Sequence, residues 1–284
     1  MNSQKKIAIL LYRYFPYGGL QKDFLEIAKE LLSRDVTLKV FTRRWEGHIP
    51  EGLSVTELGQ RGFTNYAKNK NFVKDSYKAL QSYKPDLVFG FNKMPGLDLY
   101  FAADTCFKKE SLKKHPITRF TRRFRQSLEY ELAVFDGNAS TEVFLLNNKQ
   151  AFDFKTSYQL DSNQMTVVPP GINLNWNDHD PIDTHSIFNI QLEDKVALFV
   201  GSDFHRKGLD RAISSIHYLN KHNIPFTLLV IGKDNFGSYS ELVQNFGINE
   251  KVKYLGPRDD IASLMKSSDL LLHPAREEAA GNVI

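Results

Sequence analysis

Cys106 is the only cysteine in the chain, so no internal disulfide can form and a reducing compartment is the expected setting. No segment approaches the ~18 consecutive apolar residues that a membrane-spanning helix requires. The N-terminal "MNSQKKIAILLYRYF" joins two lysines to an apolar run. That run is short, is broken by Arg13 and lacks a small-residue cleavage site after it, so it reads as a first buried strand and not as a signal peptide. Cysteine and histidine do not cluster at zinc spacing, no Asp-x-Asp suggests a metal-held diphosphate, and no G-x-S-x-G is present. There is no short-period repeat and no low-complexity tract.

What is present is ordinary globular usage, 42% apolar and 25% charged over 284 residues, enough for one large domain or two ordinary ones. The charge is unevenly placed. "FKKESLKKHPITRFTRRFR", residues 107 to 125, holds four lysines and four arginines against one glutamate. That is a local +7 in a chain of net +4, so the remainder carries −3.

Apolar β-branched runs alternate with runs of helical period. "KIAILLYR" reads as a strand, and "LQKDFLEIAKELL" reads as a helix with Leu20, Phe24, Ile27, Ala28, Leu31 and Leu32 on one face. "TLKVFTRR", "DLVFGFN", "DLYFAAD", "TEVFLLN" and "MTVVPP" continue the strand series. "VALFVGS", "FTLLVIG", "VKYLG" and "DLLLHPA" form a second series, separated by the helices "LDRAISSIHYLNKH", "SYSELVQNFG" and "RDDIASLMKSS". This rhythm predicts an α/β chain of parallel sheets covered by helices. The polar, turn-rich "PPGINLNWNDHDPIDTHS" places a boundary near residue 172, between doubly wound domains over 1–172 and 173–284. The closing "HPAREEAAGNVI" begins a helix and stops, as if the second domain were cut short.

In open α/β sheets, ligands bind beyond the C-terminal ends of the strands, where helix N-termini point at them. "GSDFHRKG" falls at such a point, and it sets His205, Arg206 and Lys207 at the end of a helix where acidic residues are favoured. Only a highly charged anion makes that favourable, and a diphosphate is the obvious one. A solvated loop with incidental charge is the alternative. "YFPYGGLQKDF" is the matching loop in the first domain, where Gly18 and Gly19 permit positive φ and close approach of a ligand, or make only a tight turn. It is not G-x-G-x-x-G, and no acidic residue stands where a nicotinamide cofactor would need one. In "REEAAGNVI", Glu278 would meet sugar hydroxyls and the N–H groups of Gly281, Asn282 and Val283 would bind phosphate; an acidic N-cap is the alternative. Asp104 closes an apolar strand, as a functional carboxylate or as a helix cap.

"LYRYFPYGGLQKDF", "FNKMPGLDLYFAAD", "PPGI", "GSDFHRKGLDR" and "LLLHPAREEAAGNV", in this order and spacing, resemble the lipopolysaccharide core glucosyltransferases. These are retaining GT-B enzymes of glycosyltransferase family 4. The resemblance covers the whole chain; "FNKMPGLD" and "YFAAD" are specific to that subfamily. It implies two Rossmann-like domains facing a cleft, an acceptor-binding one first and a nucleotide-sugar-binding one second. It implies UDP-glucose as donor, a heptose of a lipid-anchored core oligosaccharide as acceptor, and no cofactor or metal. Arg206 and Lys207 would hold the diphosphate, Glu278 the donor sugar as the first acid of an E-x7-E pair, and Asp104 would orient acceptor or donor sugar. Gly281, Asn282 and Val283 would line the phosphate and ribose side, and Gly18 and Gly19 the opposite wall. Gly171, Gly201, Ser202 and Gly232 complete the nucleotide-sugar set, and Arg258 falls where the base is enclosed. The second acid of the pair would lie past Ile284, which puts ribose binding and activity in question.

The basic stretch is expected to lie on an anionic membrane surface through Lys108, Lys109, Lys113, Lys114, Arg119, Arg122, Arg123 and Arg125. Phe120, Phe124, Leu128 and Phe135 at near-helical spacing would supply its apolar face. The expected location is therefore cytoplasmic, at the inner face of the cytoplasmic membrane. A nucleic-acid patch is disfavoured because no binding motif accompanies the charge. Rival functional readings are another GT-B enzyme, such as a sugar-nucleotide epimerase, and a truncated non-catalytic paralogue.

Overall fold

The computed structural model describes residues 4–16, 18–113, 115–137, 139–158, 160, 162–171 and 179–278. The chain forms two compact units, Met1–Pro170 and Gly171–Ile284. The first contains β1 (Lys6–Tyr14), α1 (Gly19–Ser33), β2 (Thr37–Trp45), β3 (Ser54–Glu57), α2 (Asn65–Tyr83), β4 (Leu87–Gly90) and β5 (Leu99–Ala102). It continues with α3 (Phe107–Ser111), α4 (Arg122–Phe135), β6 (Glu142–Leu145), α5 (Asn148–Tyr158) and β7 (Met165–Val167). Its strands make one parallel sheet in the order β3-β2-β1-β4-β5-β6-β7.

The second unit contains α6 (Thr184–Phe188), β8 (Lys195–Val200), α7 (Phe204–Lys207), α8 (Leu209–Lys221) and β9 (Phe226–Ile231). It also holds α9 (Gly237–Asn245), β10 (Val252–Gly256), α10 (Ile261–Lys266) and β11 (Leu270–Leu271). Its parallel sheet has the order β10-β9-β8-β11. Both sheets are thus doubly wound, as the alternation of patterns predicts.

The central strands are covered on both faces, which is why they read as unbroken apolar runs. Ala8, Ile9, Leu10 and Leu11 of β1 are buried, as are Val196 to Val200 of β8 and all of β9. Each helix offers one apolar stripe to its sheet: Phe24 and Ala28 from α1, and Leu209, Ala212, Ile213 and Ile216 from α8. Thr64 and Thr121 cap α2 and α4 by accepting the N–H of Ala67 and of Phe124, each at 3.2 Å.

In each sheet the strand order reverses at one strand. β1 lies between β2 and β4, and β8 lies between β9 and β11. Such a switch point opens a crevice at the C-terminal edge of the sheet. The segment after β1 carries Gly18 and Gly19, and the segment after β8 runs from Gly201 to Gly208. No helix of the described residues is long and apolar enough to cross a membrane.

Candidate active site

The basic triplet does not stand at the start of the long helix, as the sequence pattern suggests. It forms a separate turn, α7, capped by Asp203 in the left-handed conformation, and Gly208 divides it from α8. His205, Arg206 and Lys207 therefore occupy the last turn of a short helix, the end that cations favour. The N-terminus of that turn is filled by the protein's own acids. Phe204 donates its N–H to Asp234 Oδ2 at 2.8 Å, and Arg206 donates its N–H to Asp203 Oδ1 at 3.4 Å. The cationic side chains, rather than the α7 dipole, are what this turn offers an anion.

Those side chains meet the segment that follows β11. Lys207 pairs with Glu278 Oε2, and His273 Nε2 lies 2.9 Å from the same oxygen. Burial works to raise the Glu278 carboxyl, but the bonds from Lys207 and His273 outweigh it and hold the group at about 2. Arg206 donates to the Glu277 carbonyl at 3.0 Å and to Asp203 Oδ2 at 3.2 Å. Arg276 forks onto both oxygens of Asp210 at 2.7 Å, and its N–H and Nη1 reach the carbonyls of Arg206 and His205. The hydrogen bond from Arg276 keeps the Asp210 carboxyl below its ordinary value.

Gly208 makes this closeness possible. Its φ is +78°, and a Cβ there would stand 2.2 Å from the Pro274 carbonyl oxygen. Gly201 and Gly232 are packed together at the ends of β8 and β9, where a Cβ on Gly232 would stand 2.0 Å from the Gly201 carbonyl oxygen. Ser202 accepts the Lys233 N–H at 3.2 Å. The fold thus brings Gly201, Ser202, Arg206, Lys207, Gly232 and Glu278 to one edge of the sheet. Arg258 follows β10, held by a fork to Asp260 at 2.6–2.7 Å and placed over the Phe188 ring. Gly171 is exposed at the start of the unit. Gly281, Asn282 and Val283 lie outside the described residues.

In the first unit the two glycines are not used for positive φ. Gly18 is the extended cap of α1, with φ −92°, and Gly19 is its first residue. A Cβ on Gly18 would strike the Gln21 and Phe15 side chains, whereas one on Gly19 would meet nothing within 4 Å. The expectation of a left-handed turn is corrected: the pair is a helix start with open space beside Gly19.

Asp104 is exposed just past β5, and it caps no helix. The N-terminus of α3 is held instead by Glu131, which is 0% exposed. Its carboxylate accepts the N–H groups of Phe107 and Lys108, each at 2.8 Å, the Tyr158 hydroxyl at 2.5 Å, and the Lys93 ammonium. Lys93 also donates to the Thr105 carbonyl at 3.0 Å, so the strand-end loops before and after β5 share one anchor. Burial raises the Tyr158 hydroxyl and the Cys106 thiol beside it, and Glu131 adds to both. Sequence reasoning passed over Glu131, Lys93, His273 and the Arg276–Asp210 fork. For Glu131 a signal exists: it sits on the apolar stripe of α4 with Leu128 and Phe135, where a charge needs a partner.

The basic stretch is not one continuous helix. α3, a 3-10 turn over Pro116–Phe120, and α4 follow one another. Phe135 is core, and Phe124 packs on Phe107 with ring centroids 5.1 Å apart, so the apolar face of α4 turns inward. The apolar groups left outside are Leu112, Ile117 and Phe120, 70%, 68% and 75% exposed. Lys108 is engaged with the Ser157 carbonyl and the Tyr158 ring, Lys109 with Asp153, and Lys113 with Glu110. Arg119, Arg122, Arg123 and Arg125 are exposed and make no salt bridge among the described residues. Lys114 lies outside the described residues.

Residues 182–284 match the family model described as glycosyl transferases group 1. The chain is 36% identical to lipopolysaccharide glucosyltransferase WaaG of Escherichia coli, over 98% of this chain and 76% of that protein. It superposes on the crystal structure of WaaG, described as a glycosyltransferase involved in lipopolysaccharide biosynthesis, with a TM-score of 0.91. That match covers 98% of this chain and 77% of that one at 36% identity. Anabaena HepE in complex with UDP and glucose shares the fold at 17% identity, with a TM-score of 0.69 over 99% of this chain and 77% of that one. The architecture is GT-B.

Proposed function

We propose, since the chain belongs to the WaaG family of glycosyltransferases, that it moves glucose from UDP-glucose to a heptose of the lipopolysaccharide inner core with retention of configuration. The observation that carries this reading is the convergence of Lys207, Arg206 and Glu278 at the switch point of the second sheet. The two cations would meet the donor diphosphate, and the carboxylate would accept from a sugar hydroxyl.

In the proposed reaction the bond between the anomeric carbon and the β-phosphate oxygen breaks, and the electron pair leaves with UDP. The acceptor hydroxyl oxygen attacks from the same face through an oxocarbenium-like state and passes its proton to the departing phosphate. Lys207 and Arg206 stabilise the charge that develops there, a role that needs no metal. Asp104, at the C-terminal edge of the first sheet, would orient a sugar hydroxyl, and Arg258 would lie against the base. Beside Gly19, at the start of α1, a Cβ would meet nothing within 4 Å, and the first unit would use that open space to admit a ligand.

Membrane docking belongs to the same proposal. Leu112, Ile117 and Phe120 would enter the headgroup region of the inner leaflet while Arg119, Arg122, Arg123 and Arg125 meet anionic lipid. Each cation near such a surface contributes about 1 kcal/mol.

The deciding experiment is calorimetric titration with UDP. Lys207→Ala is expected to weaken binding by ~1.5–3 kcal/mol, the scale of a charge-assisted hydrogen bond. Unchanged affinity in both Lys207→Ala and Arg206→Ala would remove the diphosphate site from this turn.

A further inference from the structure

We propose that His273 is a positioning residue for the donor sugar, fixing Glu278 by one carboxylate oxygen so that the other stays available to a sugar hydroxyl. The inference rests on the reading of Glu278 as the sugar-binding acid. Both donors that reach Glu278 converge on Oε2: the Lys207 ammonium, and His273 Nε2 at 2.9 Å. Oε1 accepts from no group among the described residues.

The ring is well placed to hold that carboxylate still. Its side chain is only 6% exposed. It follows β11 directly, and the preceding Leu272 donates its N–H to the Leu198 carbonyl at 2.8 Å, which extends the pairing with β8 up to the histidine. Pro274 comes next and restricts the backbone on the other side. The other ring nitrogen, Nδ1, is buried and has no partner among the described residues. The bond to Glu278 is therefore the ring's one polar anchor there, and a buried polar atom left unsatisfied calls for a reason in function or strain.

The need for a second donor follows from what Lys207 must do. An ammonium that turns toward an incoming diphosphate loosens its hold on the glutamate. A carboxylate held by Lys207 alone would follow it or swing free. With Nε2 still bound to Oε2, Glu278 keeps its orientation while Lys207 is shared with phosphate. His273 thus separates sugar recognition from phosphate recognition, although both pass through one ion pair.

The test compares UDP with UDP-glucose by titration calorimetry on the full chain and on His273→Ala, His273→Gln and Glu278→Gln. The quantity read is the ratio of the two dissociation constants, which isolates the glucosyl group. His273→Ala is expected to leave UDP affinity within about twofold and to move the ratio against UDP-glucose by about tenfold, the worth of one hydrogen bond to a charged group. Glu278→Gln should move it in the same direction. His273→Gln, whose amide N–H can replace Nε2, should restore most of the loss. A ratio unchanged in His273→Ala but shifted in Glu278→Gln overturns the role of His273. A ratio unchanged in Glu278→Gln overturns the assignment of that acid to the sugar. Loss of UDP binding in His273→Ala would reduce His273 to a structural residue and also overturn the proposal.

Discussion

Replacing Glu131 by Gln tests the physical account of the first unit most severely. One oxygen of this fully buried carboxylate takes the Tyr158 hydroxyl and the Lys108 N–H; the other takes the Lys93 ammonium and the Phe107 N–H. Gln removes the charge and converts one acceptor into an NH2. With its NH2 on the Lys93 side the amide faces two donors, the ammonium and the Phe107 N–H; turned the other way it still faces the Lys108 N–H, although the Tyr158 hydroxyl can rotate to accept. Lys93, with only 12% of its side chain exposed, loses its counter-charge. Breaking a buried pair by changing one partner costs about 3–5 kcal/mol. For a unit of this size, Met1–Pro170, each kcal/mol moves the midpoint by roughly 2–4 °C, so a fall of about 6–20 °C is expected. Scanning calorimetry should show one transition move while that of the second unit holds. Adding Lys93→Met removes the stranded ammonium, so the double variant should lose less than the sum of the single ones, by about 0.5–3 kcal/mol. A midpoint shift below about 2 °C, or simple additivity, would refute the view of Glu131 as the anchor of α3.

Two further outcomes concern backbone conformation at two glycines and the response to pH. Gly208→Ala forces a side chain into φ +78° and a Cβ to within 2.2 Å of the Pro274 carbonyl oxygen, so a loss of at least ~1–3 kcal/mol should appear in thermal melts. Gly19→Ala, in open space at a helix start, should be neutral or stabilising by up to ~1 kcal/mol, and similar melts for the two variants would contradict the geometry. The second outcome concerns pH. Burial raises the Glu278 carboxyl but the bonds from Lys207 and His273 bring it down to about 2, from 4.5, so its contribution is complete above about pH 4.5 and is lost as pH falls toward 2. Melts over that range should steepen with acid in the parent chain and less so in Glu278→Gln; parallel curves would exclude the linkage.

The sequence by itself determined the class of fold, because burial on both faces leaves an unbroken apolar run wherever a central parallel strand lies. β1, β8 and β9 contain such runs, and of the other strands all but one could be read from shorter apolar, β-branched stretches. The exception is β3, "SVTE", an edge strand that pairs only with β2 and carries no buried side chain, so no hydrophobic signal marks it. The sequence also placed Arg206, Lys207 and Glu278 as candidates, since each is an ionisable group at a strand end or a helix start. Tertiary structure alone decided which groups meet. Lys207 and Glu278 are 71 residues apart, and they touch because β11 lies beside β8 and Gly208 lets the chain pass close. The same is true of His273, whose ring reads in sequence as part of an apolar strand's end, and of Glu131, whose partners come from three separate segments. It holds too for the basic stretch, where helical spacing marked Phe124 and Phe135 as outward but packing turned them in. Periodicity records which side of an element avoids water; it carries no information about which other element covers that side, and that choice is made by the sheet order.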